Sequence, residues 1–203
     1  MKHASNLTLR LGTRSSALAL WQANWVTEQL TALGVNVQVV HIKTSGDVRS
    51  GPIGQLGTQG VFTKEIQRFL LEEQIDLAVH SLKDLPTDTV AGLDLVAVPT
   101  RESSADVLVS RVSDSLDSLP DGSRIGTGSV RRQAQLLAIR PDLAVCEIRG
   151  NVGTRLQKLK EEQYDALILA EAGLRRLGLE SHITQIIPPS VMLPAVGQGA
   201  LGI

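Results

Sequence analysis

The chain has 203 residues, 42% hydrophobic and 20% charged, the composition of a globular protein of one or two domains rather than a disordered or fibrous one. Twenty Lys and Arg against 21 Asp and Glu leave a formal charge of −1, and two Trp, one Tyr and two Phe supply little for base stacking, so a nucleic-acid binder or membrane-surface binder is not expected. The single cysteine, Cys146, excludes an intrachain disulfide; with no signal-peptide run in residues 1–11 and no stretch of ~20 apolar residues, a soluble, cytoplasmic protein is expected.

Apolar runs rich in β-branched residues alternate with helical patterns along the chain. Residues 7–13 read as a strand and 15–33 as a helix, with Ser15 or Ser16 as its N-cap and Gly34 as its stop. A strand over 35–43, a helix over 62–74 and strands over 75–81 and 93–99 follow. Between them, residues 51–60 place Gly at every third position, which reads as a mobile surface loop because ten residues with one Pro cannot make a triple helix. The second half repeats the alternation: strands over 106–110 and 123–126, a helix over 130–140 closed by Pro141, a strand over 143–148, a helix over 152–163, a strand over 164–170 and a short helix over 172–177. The fold class is therefore α/β, with mainly parallel sheets covered by helices on both faces. A polar stretch, Thr100-Arg-Glu-Ser-Ser104, separates two complete alternations, giving two units of about 100 residues that meet at a cleft.

In open α/β sheets ligands bind beyond the C-terminal ends of the strands. The turns at those ends carry Thr13-Arg-Ser-Ser16, His80-Ser-Leu-Lys-Asp84, Gly126-Thr-Gly-Ser-Val-Arg-Arg132 and Arg149-Gly-Asn-Val-Gly-Thr-Arg155. Each offers a cation beside hydroxyls or glycine backbone at a helix start, where the N-terminus already favours anions and Arg adds two-pronged recognition of carboxylate or phosphate. One such arginine alone would be a solvated surface charge; this many at the same sheet ends of a nearly neutral chain imply a ligand with several negative groups. Asp84 repels such a ligand, so it is better explained by a positive charge that develops during reaction, or by proton delivery, than as a turn residue before Pro86.

Other chemistries find little support. Gly126-Thr-Gly128 opens like a dinucleotide fingerprint but has Arg131 where the third glycine belongs, and Gly197-Gln-Gly-Ala-Leu-Gly202 has the spacing with one residue after it. The four histidines, His3, His41, His80 and His182, form no metal-ligand pair, so no metal site is expected. His80 is read as structural at a strand end, and Cys146 as a buried, inert thiol inside an apolar strand.

Four ordered motifs, His80-Ser-Leu-Lys-Asp-Leu-Pro86, Gly126-Thr-Gly-Ser-Val-Arg-Arg132, Arg149-Gly-Asn-Val-Gly-Thr-Arg155 and Leu193-Pro-Ala-Val-Gly-Gln-Gly199, resemble those of porphobilinogen deaminase (hydroxymethylbilane synthase). The resemblance implies a transferase of tetrapyrrole biosynthesis that condenses four porphobilinogen molecules to hydroxymethylbilane with release of ammonia. It implies Asp84 as the catalytic residue, assisting loss of the amine and stabilising cationic azafulvene and pyrrole intermediates. It implies Ser81, Lys83, Thr127, Ser129, Arg131 and Arg132 as contacts of the dipyrromethane cofactor, and Arg14, Ser16, Arg149, Arg155 and Arg176 as contacts of substrate carboxylates, with Asn151 and Gln198 in the same motifs. It implies two periplasmic-binding-protein-like (type II) domains, 1–101 with 197–203 and 102–196, in a protein that is usually monomeric.

Two departures accompany it. Gln55 and Gln59 stand in a loop where the family usually has lysines. The family's third domain, whose Gly-Gly-Cys cysteine anchors the cofactor, has no counterpart in these 203 residues, so the expectation is a truncated form with impaired turnover. The alternative is a non-catalytic bilobed module that clamps a polycarboxylate.

Overall fold

The computed structural model describes residues 8–43 and 63–203; the glycine-spaced segment 51–60, with Gln55 and Gln59, and Phe62 lie outside the described residues. The elements in chain order are β1 (Thr8–Thr13), α1 (Ala17–Ala32), β2 (Asn36–His41), α2 (Lys64–Leu71), β3 (Leu77–Ala78), β4 (His80–Ser81), a 3-10 turn (Leu82–Asp84), β5 (Asp106–Ser110), β6 (Arg124–Gly126), α3 (Val130–Ile139), β7 (Ala144–Cys146), α4 (Val152–Lys160), β8 (Ala166–Ala170), α5 (Glu171–Arg176), a second 3-10 turn (Glu180–His182), β9 (Gln185–Ile187) and β10 (Leu201–Gly202). The chain divides into two compact units, Met1–Arg101 with Ala200–Ile203, and Glu102–Gly199.

In the first unit β1 is flanked by parallel β2 and β3, in the order β2-β1-β3. The expected strand over 75–81 is interrupted at Val79: β3 pairs with β1, whereas β4 pairs antiparallel with β10. Residues 93–99 form no regular strand, but Val96 and Ala97 donate to the Ile203 carbonyl at 2.8 and 3.2 Å and Ile203 donates back to Ala97 at 3.0 Å. Leu11, Ala23, Val26, Val79 and Leu201 form one core cluster and Ile42, Ile66, Ile75 and Ala78 another.

The second unit is a five-stranded sheet in the order β7-β6-β8-β5-β9. β6 runs parallel to β7 and β8, while β5 runs antiparallel to β8 and β9. Alternate residues of β5 and β8 enter opposite cores: Leu108 and Ile168 pack with Ile125 and Leu136, and Val107, Val109, Leu167 and Leu169 pack with Ile148 and Leu174. A sheet buried on both faces is what continuous apolar strands such as Val-Leu-Val and Leu-Ile-Leu require. Because β5 is antiparallel, its first residue, Asp106, lies opposite Ala170, the last residue of β8.

The strand-to-helix turns are fixed by side-chain caps. Ser16 accepts from the Ala19 N–H at 3.3 Å, Ser129 from Arg132 at 3.4 Å and Asn151 from Thr154 at 2.9 Å, each satisfying a donor left open at a helix start. At the other end of α2 and α4, Glu73 (φ 54°) and Glu162 (φ 59°) adopt the left-handed conformation, and the following Gln74 and Gln163 donate back to Phe69 and Lys158. That reversal ends α4 at Lys160, short of the expected 163. Cys146 differs from its expectation: β7 is the outer strand of the sheet, so the thiol is half-buried rather than buried and points to the Ala144 carbonyl at 3.5 Å. No helix among the described residues is long and apolar enough to cross a membrane.

Candidate functional site

In the first unit, the ends of β1 and β4 and the start of α1 enclose a pocket of about 60 Å3 whose lining includes Arg14, Ser16, Gln22, His80, Ser81 and Asp84. Four of the predicted residues therefore converge there. Ser16 is committed partly to capping α1. Gln22, which sequence reasoning missed, is 3% exposed and donates its amide to the Ser81 hydroxyl at 2.8 Å, fixing that hydroxyl's direction.

The 3-10 turn after β4 presents Lys83 and Asp84 in succession. Asp84 is exposed to water on its outer side, yet the protein packed around its carboxyl raises it above the usual carboxylate range, against the pull of Lys83 and Arg14. Water on that side screens part of the effect. His80, in the same lining, is pushed down to about 4, first by burial and then by the Arg14 charge, so it is a neutral imidazole at physiological pH. The pocket thus combines one cation, Arg14, the hydroxyls of Ser16 and Ser81, a neutral imidazole and a carboxyl that takes up a proton more readily than usual.

In the second unit the predicted residues gather on the start of α3. Thr127 is 4% exposed and accepts from the Ser129 N–H at 3.2 Å, and Ser129 caps the helix. Arg131 and Arg132 turn toward Asp106, a fully buried carboxylate that sequence reasoning missed. Arg132 donates to one carboxylate oxygen through Nε at 3.1 Å and Nη2 at 2.7 Å, and to the Ile168 carbonyl through Nη1 at 3.0 Å. Arg131 donates to the other oxygen at 2.7 Å and to the Leu193 carbonyl. Burial pushes the Asp106 carboxyl up, but the charge of Arg132 and the hydrogen bonds from Arg132, Gln198 and Arg131 outweigh it, leaving it below the usual range. The signal for Asp106 was available: an acid opening an apolar strand must find a cation if the strand is buried.

Gln198, expected at the substrate, is fully buried and donates to the Ser104 carbonyl at 2.7 Å, the Ala105 carbonyl at 3.3 Å and Asp106 at 2.8 Å. Beside it, Gly199 (φ +86°) lies so close to the chain that an added Cβ would sit 2.4 Å from the Glu102 carbonyl oxygen. Arg176 donates to the Gly199 carbonyl at 2.6 Å.

The last motif caps α4. Asn151 accepts from both the N–H and the hydroxyl of Thr154, Arg155 donates to the Gly150 carbonyl at 2.8 Å, and Arg149 donates to Glu147 at 2.8 and 2.9 Å. Burial, with the nearby charge of Arg132, lowers the Arg155 guanidinium's hold on its proton. Crowded like charges of this kind are relieved by an anion. Of the expected cofactor contacts here, Thr127 and Arg132 are buried and Arg132 donates inward through all three nitrogens, whereas the Arg131 guanidinium is partly open, a group suited to the carboxylates of dipyrromethane. Among the described residues no group of three His, Cys, Asp or Glu assembles that could hold a metal. A wider groove of about 840 Å3, between α4 and residues 179–184, contains none of the predicted residues.

The fold resembles solved structures at low identity. A lipoprotein from Bacillus subtilis aligns over 97% of this chain and 83% of its own, at 11% identity and a TM-score of 0.55. The methionine binding protein MetQ aligns over 89% and 78%, at 15% identity and a TM-score of 0.53. The sheets of this chain are mixed and mostly parallel, and its fold is periplasmic-binding-protein-like, type II. At the level of sequence, the family described as "Porphobilinogen deaminase, dipyromethane cofactor binding domain" matches residues 9–203. That span takes in all four motifs and the described strand ends that carry them, and the chain belongs to the porphobilinogen deaminase family.

Proposed function

We propose that this chain binds porphobilinogen and oligopyrrole polycarboxylates and carries the reacting carboxylate of hydroxymethylbilane synthesis, the condensation of four porphobilinogen molecules with release of ammonia. The observation that carries the reading is Asp84 in a pocket with Arg14, Ser16 and Ser81. In each condensation the aminomethyl C–N bond of the incoming porphobilinogen breaks, ammonia leaves with an added proton, and that carbon bonds to a pyrrole carbon that gives up its own proton. Asp84 would deliver and recover the proton and oppose the positive charge that develops as the amine departs. Its raised proton affinity suits that exchange.

Thr127, Ser129, Arg131 and Arg132 would hold the carboxylates of dipyrromethane, which when bound supplies the pyrrole end that the oligomer extends. Arg14, Arg149, Arg155 and Arg176 would hold substrate and chain carboxylates. The fold's likeness to binding proteins favours a second reading, a polycarboxylate-binding module without chemistry.

Ammonia release and calorimetric titration with porphobilinogen, on the wild-type chain and Asp84→Ala, separate the two. Release that Asp84→Ala abolishes while affinity is kept or improved supports the enzyme. Binding without release in both proteins favours the module, and release unchanged by Asp84→Ala removes Asp84 from the reaction.

A further inference from the structure

We propose that Asp106 is a positioning residue of the arginine face: its carboxylate holds Arg131, above the buried Arg132, in line for the ligand's carboxylates. The inference rests on the reading of that face as a polycarboxylate site. Three features of the second unit carry it. The strand β5 is antiparallel to β8, so it delivers its first residue, not its last, to the end of the sheet where β8 finishes and α3 begins after β6. A parallel strand would bring a residue to that end only as it leaves the sheet.

The carboxylate, fully buried, is filled on both oxygens: one takes Arg132 Nε, Arg132 Nη2 and Gln198 Nε2, the other takes Arg131 Nη2 at 2.7 Å. Three donors converge on one oxygen and one on the other, so a single carboxylate ties down both guanidiniums. Finally, two positive charges share one negative charge, so the cluster retains a net positive charge. The Arg131 side chain is 25% exposed against 8% for Arg132, so Arg131 is the member turned to solvent while Arg132 is locked beneath it. A guanidinium held in place before the ligand arrives loses little freedom on binding it.

Gln198 extends the arrangement. Its amide joins Asp106 to the carbonyls of Ser104 and Ala105, next to the places where the chain leaves the first unit after Arg101 and returns to it at Ala200. The same carboxylate that aligns the arginines thus also anchors the segments on which the chain crosses.

The sign of one substitution separates positioning from simple charge. Removing a negative charge near an anion site tightens binding by Coulomb attraction alone, whereas losing the alignment of the arginines weakens it. The probe is a synthetic dipyrromethane carrying an acetate and a propionate on each ring, titrated calorimetrically into the full chain as wild type, Asp106→Asn, Arg131→Leu and the double variant. Positioning predicts at least tenfold weaker binding for each single variant, and a double variant within threefold of Arg131→Leu, because Asp106 acts through that arginine. Asp106→Asn that binds within threefold of wild type or tighter overturns the proposal, as does a double variant whose losses multiply. If Asp106→Asn does not fold, Arg131→Lys decides: it keeps the charge and the buried Asp106–Arg132 pair but lacks the fork, and should bind at least tenfold more weakly. Wild-type affinity in Arg131→Lys overturns the proposal. No binding by the wild-type chain overturns the polycarboxylate reading and this inference with it, whereas wild-type binding with unaffected variants overturns the inference alone.

Discussion

Lowering the pH from 7 to 4 forces a proton onto a histidine that the folded chain holds neutral. His80 lines the Asp84 pocket, and burial followed by the Arg14 charge moves its pKa from the ordinary 6.5 to about 4. Between those values the unfolded chain binds a proton that the native chain does not, so stability falls as the pH falls. A tenfold change in proton affinity is worth about 1.4 kcal/mol, so the loss by pH 4 amounts to roughly 3 kcal/mol, a large fraction of a domain's stability. Other groups titrate in or near this window. Asp84, whose pKa is raised, contributes the opposite slope just above 3.8, and Asp76, lowered to about 2 by its hydrogen bonds from Arg10, loses its contribution only below 3.8. The difference between wild type and His80→Gln isolates the histidine, since Gln is similar in size and does not titrate. Urea unfolding at half-unit steps from pH 7 to 4 should show wild type losing roughly 3 kcal/mol more than His80→Gln. Parallel stability curves for the two proteins would refute a buried neutral imidazole at this position.

Three further outcomes are expected. The raised pKa of Asp84 means that its ionised form costs stability at pH 7, so Asp84→Asn should unfold at an equal or higher temperature than wild type while losing ammonia release; a lower melting temperature contradicts that. Gly199→Ala places a Cβ 2.4 Å from the Glu102 carbonyl and 2.5 Å from that of Ser103 at φ +86°, and should cost ~2 kcal/mol or more in urea unfolding; a change under ~0.5 kcal/mol would mean the segments part easily. Glu73→Gly relieves a left-handed residue after α2, and should add ~0.5–1 kcal/mol, read as a higher urea midpoint at unchanged slope.

The elements that sequence pattern conveyed best are those with their own stop and start chemistry. β5 runs over Asp106–Ser110 as expected, and α3 begins at Val130 behind the Ser129 cap. The pieces that pattern did not convey are held by partners distant in sequence. β10 is two residues, Leu201–Gly202, with no periodicity to read, and exists because His80 and Ser81 pair with it. β9, Gln185–Ile187, likewise forms against β5.

The same contrast holds for the site. Arginines and hydroxyls at helix starts announce themselves by type and position, as Ser16, Ser129 and Arg131 do. Asp106 and Gln22 do their work from inside, on Arg132 and Ser81, and a buried polar residue is recognisable only once its partner is in place. Cys146 is half-buried rather than buried because strand order puts β7 at the edge of the sheet, a position that an apolar run does not reveal.

The most direct test of the account is the titration of the Asp84 carboxyl itself, followed by its 13C shift in the full chain with and without porphobilinogen. The account predicts titration above the ordinary carboxylate value of 3.8 in the free chain, and a shift downward when porphobilinogen brings its aminomethyl cation alongside. A carboxyl that titrates in the ordinary range and is unmoved by porphobilinogen would contradict it.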